Sequence, residues 1–147
     1  MATQSRMTAR DLMSEGGVQC VGEHQSILDA SRMMRDMAVG ALPICGDDER
    51  LKGMITDRDI VVKCVAAGED PSRITAGRFA GELYWIDAKA DATRALETME
   101  RHRVKRLPVI DVDNGHRLCG MITEADLARS LTDQQVAEFA SQVYAAA

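Results

Sequence analysis

Gly53-Met54-Ile55-Thr56-Asp57-Arg58-Asp59-Ile60 returns later in the chain as Gly120-Met121-Ile122-Thr123-Glu124-Ala125-Asp126-Leu127, 67 positions on. Working outward, Leu42-Pro43-Ile44 returns as Leu107-Pro108-Val109 at an offset of 65. The turn absorbs the difference, because Asp111 to Gly115 is longer than Gly46 to Glu49. Further back the offset of 65 holds. Val18-Gln19-Cys20-Val21 falls against Leu83-Tyr84-Trp85-Ile86, and Ser26 to Val39 against Asp91 to Val104. Thr8-Ala9 also matches Thr75-Ala76. Self-similarity at a fixed period marks a repeated structural unit. The reading divides the 147 residues into units at 7–66 and 74–131, a joint at 66–73 and a tail at 132–147.

Both units follow one order. A short apolar run comes first, Gln19 to Val21 or Tyr84 to Ile86, and reads as a strand. A helix follows, with Ser26 or Asp91 suited to its N-cap. Asp29, three residues after Ser26, resembles a capping box with Asp in place of Glu. Apolar residues then recur at Ile27, Ala30, Met33, Met34 and Met37, and at Ala92, Ala95, Leu96 and Met99, the spacing of one helix face. A hairpin comes next: Ala41–Cys45 with Leu51–Ile55, and Leu107–Asp111 with Leu118–Ile122, the second turning at Asn114-Gly115. A second helix opens at Thr56 or Thr123. The expected fold is therefore α/β of the α+β type, two tandem β-α-β-β-α units packed as a pseudo-twofold pair. In the tail, Val136, Phe139, Ala140 and Val143 at i, i+3, i+4 and i+7 predict a final amphipathic helix that packs on the module or on a partner.

Composition narrows the function classes. The apolar fraction of 46% suits a globular protein, and with only 3% aromatic residues the core has to be aliphatic and methionine-rich. The net charge of −5 argues against non-specific nucleic-acid binding. No apolar run approaches the roughly 20 residues of a membrane helix, and Met1 to Met13 has no apolar signal-peptide core. The expectation is a cytoplasmic protein with no membrane and no nucleic-acid partner. No nucleophile–base set, zinc-protease helix or glycine-rich phosphate loop is written in the chain, so the expectation is a non-enzyme.

The L-P-h strand, short turn and G-h-h-T-x-x-D segment, present twice over residues 7 to 131, resemble the CBS domain, and a tandem pair resembles a Bateman module. Within that family, Ala41 to Asp48 and Thr56 to Ile60 are most similar to stand-alone proteins of the hypoxic response protein type. The resemblance implies a regulatory or stress-sensing module, an adenosyl ligand (AMP, ADP or ATP) held in clefts between the units, no required cofactor, a homodimer, and output through dimer geometry or an unknown protein partner in trans. The candidate ligand residues are Thr56, Arg58, Asp59, Thr123 and Asp126. Thr56 and Thr123 stand at helix N-termini, where backbone N–H groups attract phosphate. Asp59 and Asp126 are suited to accept ribose hydroxyls. Arg58 adds a cation that Ala125 lacks. The competing reading is that each T-x-x-D only caps its helix and that the module is a structural interaction protein with vestigial clefts.

Three further features carry two readings each. Cys20 and Cys45 fall on strands expected to be neighbours. They are either inert buried thiols or a disulfide worth about 3 kcal/mol, which would make the module redox-responsive. Trp85 and Ile110 occupy the equivalent places in the second unit. His24, four residues after Cys20, makes Cys20, His24 and Cys45 weak metal candidates, although no zinc-ligand spacing is present. The basic run Arg101 to Arg106 is either a solvated helix end or an anion funnel. Met33, Met34 and Met37 are expected in the core.

Overall fold

A computed structural model describes residues 7–14, 18–81 and 83–144. It resolves into two compact units. One runs from 19 to 83, and the other joins the residues up to 18 with those from 84 onward.

The first unit contains β1 (Val21–Gly22), α2 (Ile27–Met37), β2 (Ala41–Cys45), β3 (Leu51–Thr56) and α3 (Asp57–Ile60). The second contains α1 (Ala9–Leu12), β4 (Ile86–Asp87), α4 (Ala92–His102), β5 (Arg106–Asp111), β6 (Arg117–Thr123), α5 (Glu124–Ser130) and α6 (Asp133–Tyr144). Each unit holds a three-stranded sheet, β1-β2-β3 or β4-β5-β6. In both sheets the first pair is parallel and the second antiparallel. The register slips at the same place in each hairpin, between Ile44 and Cys45 and between Val109 and Ile110. The repeat in the sequence is thus a repeat in the fold. The opening strands are short and start at Val21 and Ile86, at the C-terminal end of the runs predicted for them.

The long helices end alike but begin differently: Asp91 stands at the predicted N-cap of α4 yet its side chain makes no cap bond to the first turn, whereas Ser26 does so for α2. The hydroxyl of Ser26 accepts from the Asp29 amide at 3.0 Å. At the other end Ala38 and Arg103, at equivalent positions, take left-handed conformations (φ 56° and 53°). This lets the Val39 and Val104 amides reach back to the Met34 and Met99 carbonyls, 3.1 and 3.0 Å away. The buried face of α2 is Ile27, Ala30 and Met34; of the predicted methionine stripe, Met33 packs from the edge and Met37 is exposed. The buried face of α4 is Ala95 and Met99. The tail forms α6, whose Phe139 and Val143 enter the core of the second unit beside Met99 and Leu127. After one α-helical turn, α3 continues as a π-helical segment, Val61–Val65, which buries Cys64 and exposes its three valines.

The units are interleaved along the chain. The segment preceding each repeat's first strand belongs to the other repeat's unit. Thr8 pairs with Asp91, and the Ala9 amide donates to the Ala90 carbonyl at 2.8 Å. Correspondingly, Thr75 pairs with Ser26, and the Ala76 amide donates to the Gln25 carbonyl at 2.7 Å. Each leading segment then passes over the glycine of the G-h-h-T strand. A Cβ at Gly53 would stand 2.7 Å from the Ala80 Cα and 2.9 Å from its Cβ, and one at Gly120 would run into Sδ of Met13. The side chain is missing at both positions because another stretch of chain lies there.

The two glycines differ in what crowds them. Backbone opposes Gly53, whereas the end of a flexible side chain opposes Gly120. Gly53→Ala is expected to destabilise by about 1–3 kcal/mol, the usual cost of overpacking, and Gly120→Ala by less, because Met13 can turn aside. Urea unfolding of the two variants checks the order.

Candidate functional site

The two T-x-x-D turns form as reciprocal caps. The Thr56 amide donates to Asp59 Oδ2 at 3.0 Å, and the Asp59 amide donates to Thr56 Oγ1 at 3.1 Å. In the second unit the Thr123 amide donates to Asp126 Oδ2 at 2.8 Å, and the Asp126 amide donates to Thr123 Oγ1 at 3.4 Å. The strand feeds the helix through the threonine, whose extended backbone lets the side chain turn back onto the first turn.

The first-turn amides of α3 are occupied. The Asp57 amide donates to the Gly40 carbonyl at 2.9 Å, and the Arg58 amide to Asp57 Oδ1 at 2.8 Å. The N–H groups expected to attract phosphate at this terminus therefore already have partners. The remaining polar equipment consists of side chains: the exposed Arg58, the Asp59 carboxylate and Lys63.

The two carboxylates sit in different surroundings. Asp59 is 26% exposed, and its Oδ1 lies 3.3 Å from Lys63 Nζ. Partial burial raises its pKa, but hydrogen bonds from the Thr56 amide and hydroxyl, with the Lys63 ammonium, outweigh that, and the net shift is downward. Asp126 is 1% exposed. Its Oδ2 also accepts from the Thr123 hydroxyl at 3.0 Å, while Oδ1 accepts from Ser14 Oγ and Arg129 Nη2. Ser14 carried no signal in the sequence, since it lies 112 residues from its partner.

Cys20 and Cys45 are joined in a disulfide, with Cα atoms 5.7 Å apart. The parallel pairing of Val21 with Ile44 brings the two chains together there. His24 Nε2 lies 3.2 Å from Glu23 Oε1 and 3.9 Å from Asp47 Oδ2, out in solvent. A disulfide leaves neither sulfur as a thiolate, so in this state Cys20 and Cys45 do not suit a zinc ion beside His24. No group of three His, Cys, Asp or Glu side chains placed to hold a metal occurs among the described residues. Of the other cysteines, Cys64 is buried and Cys119 half-buried; burial pushes the Cys119 thiol up. In the basic run, Arg103 forms the left-handed end of α4, and Lys105 Nζ lies 4.4 Å from the Tyr144 ring centre.

The CBS-domain sequence profile matches residues 9–65 and 80–133, spanning both repeats. The chain belongs to the CBS-domain family. Over 137 residues this tandem CBS protein is 50% identical to Hypoxic response protein 1 of Mycobacterium tuberculosis, covering 92% of this chain and 93% of that one. Its fold matches a crystal structure of Hypoxic Response Protein I with two coordinated zinc ions: TM-score 0.77, 54% identity, 86% of this chain and 100% of the other. At fold level it also matches CBSX2 in complex with AMP: TM-score 0.70, 20% identity, 84% and 95% covered. No helix among the described residues of this CBS pair is long and apolar enough to cross a membrane.

Two outcomes follow. Thr56→Ala removes a cap and is expected to cost about 1 kcal/mol in thermal or urea unfolding. Because the folded state lowers the Asp59 pKa, its carboxylate contributes stability above the unfolded-state value and loses it as pH falls through the folded one. Asp59→Asn is therefore expected to be less stable than the parent at neutral pH. The gap should begin to narrow as pH falls below about 4, the unfolded-state value, and close once the folded carboxyl protonates at lower pH. Denaturation of both proteins across pH 2–7 reads this directly.

Proposed function

We propose that this CBS pair is a non-enzymatic regulatory protein that binds an adenosyl nucleotide through a T-x-x-D turn and acts through the geometry of a homodimer or through a partner in trans. The observation that carries the reading is the first turn of α3. There a part-exposed carboxylate, an exposed arginine and a lysine stand within seven residues of Thr56. A carboxylate oxygen accepts ribose hydroxyls, and a guanidinium takes phosphate oxygens. The AMP complex of CBSX2 supports the fold's capacity for such a ligand. Binding acts by population shift: a ligand that prefers one arrangement of the protein moves the equilibrium by its differential affinity.

A second reading, a redox-responsive stress protein, is favoured by the Cys20–Cys45 bond. Reduction frees the thiols of Cys20, four residues before His24, and of Cys45, two residues before the Asp47 that His24 contacts. Cysteine and histidine are donors zinc takes, and the related Hypoxic Response Protein I carries two zinc ions.

Thermal unfolding followed by the single tryptophan, Trp85, separates the readings. AMP, ADP or ATP at roughly 100 times its Kd is expected to add about 2.7 kcal/mol, a shift of several degrees. The shift should vanish in Thr56→Ala/Asp59→Ala. If no adenosyl compound moves the midpoint, the nucleotide reading fails. Reductant without ligand is expected to lower the midpoint by the equivalent of about 3 kcal/mol. Cys20→Ser should start from that lower value and ignore reductant. A midpoint indifferent to reductant removes the redox reading.

A further inference from the structure

The two T-x-x-D turns share one backbone plan, yet their carboxylates are spent differently. A carboxylate offers two oxygens and about four acceptor positions. Asp126 has filled its own: Oδ2 takes the Thr123 amide and hydroxyl, and Oδ1 takes the Ser14 hydroxyl and the Arg129 guanidinium. At 1% exposure it has no water-facing edge from which to exchange these partners for a ligand. Asp59 shares Oδ2 with Thr56, while Oδ1 meets Lys63, and the Asp59 side chain is 26% exposed. Such an open ion pair is weak and yields to a competing hydroxyl.

The difference is written in the repeat. At the offset of 67, Ser14 corresponds to Gly81 and Arg129 to Val62. Neither Gly81 nor Val62 has a side chain able to donate to Asp59. The cation follows the same division, since Arg58 stands beside the open carboxylate and Ala125 beside the filled one. The leading segment explains how Ser14 arrives. Met13 crosses Gly120, and the Ser14 amide donates to the Met121 carbonyl at 3.4 Å, which brings the hydroxyl to Asp126.

We propose that Ser14 and Arg129 commit Asp126 to holding the second unit together, and that Asp59 is the ligand carboxylate, so each chain takes one nucleotide, at the first repeat. This rests on the nucleotide reading above and narrows it to one site. Ser14 is then a positioning residue: it acts on the fold through Asp126 and touches no ligand.

The test is calorimetric titration of the full chain with AMP, paired with ligand-free unfolding. One AMP per chain is expected for the parent, none for Asp59→Asn, and one for Ser14→Gly. Without ligand, Ser14→Gly is expected to lower the midpoint by a few degrees. Asp126→Asn should lower it by more than Asp59→Asn does or fail to fold, and Ser14→Gly keeps the test open in that case. Two AMP per chain in the parent, or binding kept in Asp59→Asn, overturns the assignment and leaves the nucleotide reading standing. Absence of AMP, ADP and ATP heats in the parent overturns both. An unchanged midpoint in Ser14→Gly overturns the commitment of Asp126.

Discussion

Close approach of the chain to itself over two glycines is the constraint on which this molecule turns. At Gly53 the backbone of a leading segment stands where a side chain would go, and at Gly120 the side chain of Met13 does. Glycine accepts the approach at an entropic cost in a strand, and the gain is that each sheet is covered by chain from before the other repeat's first strand. The same crossing fixes the backbone bonds of Ala9 and Ala76. In the second unit it also sets Ser14 against a buried carboxylate. Strand, cap and leading segment are one connected arrangement, and the threonine and aspartate of each motif serve it before they serve any ligand.

Much of this was legible from the repeat. The order of elements followed from alternating and helical periodicity, and the hairpins from their turn residues. The caps followed from Thr and Asp three apart, because these signals are local. What escaped was non-local. Nothing near Gly53 announces Ala80, and nothing near Ser14 announces Asp126. The first-turn amides of α3 looked free in the sequence, yet the Gly40 carbonyl occupies one of them from across the hairpin. The cysteine pair stood between. Strand adjacency made a bridge geometrically open, but redox state is not encoded in spacing, and the bond itself emerged only from the structure.

The two repeats share a frame and differ in chemistry. The first repeat holds the disulfide, the part-exposed carboxylate of Asp59 and the exposed Arg58. The second holds Trp85 and Ile110 in place of the cysteines, and a saturated aspartate in place of an available one. It also gains α6, whose Phe139 and Val143 enlarge its core. The two repeats therefore differ in how open their carboxylates are and in which of them carries a disulfide.

The exchange of leading segments also governs the order in which the chain can mature as it is synthesised. The first unit cannot close until residues near 80 have emerged, well past the end of its own repeat. Residues 7–14 must wait longer, for strands and helices some 80 to 110 positions downstream. Contacts at such separation carry a loop-closure cost and slow folding. Residues 7–14 are thus among the last to find their place, and until then the nascent protein presents an uncovered sheet to its surroundings.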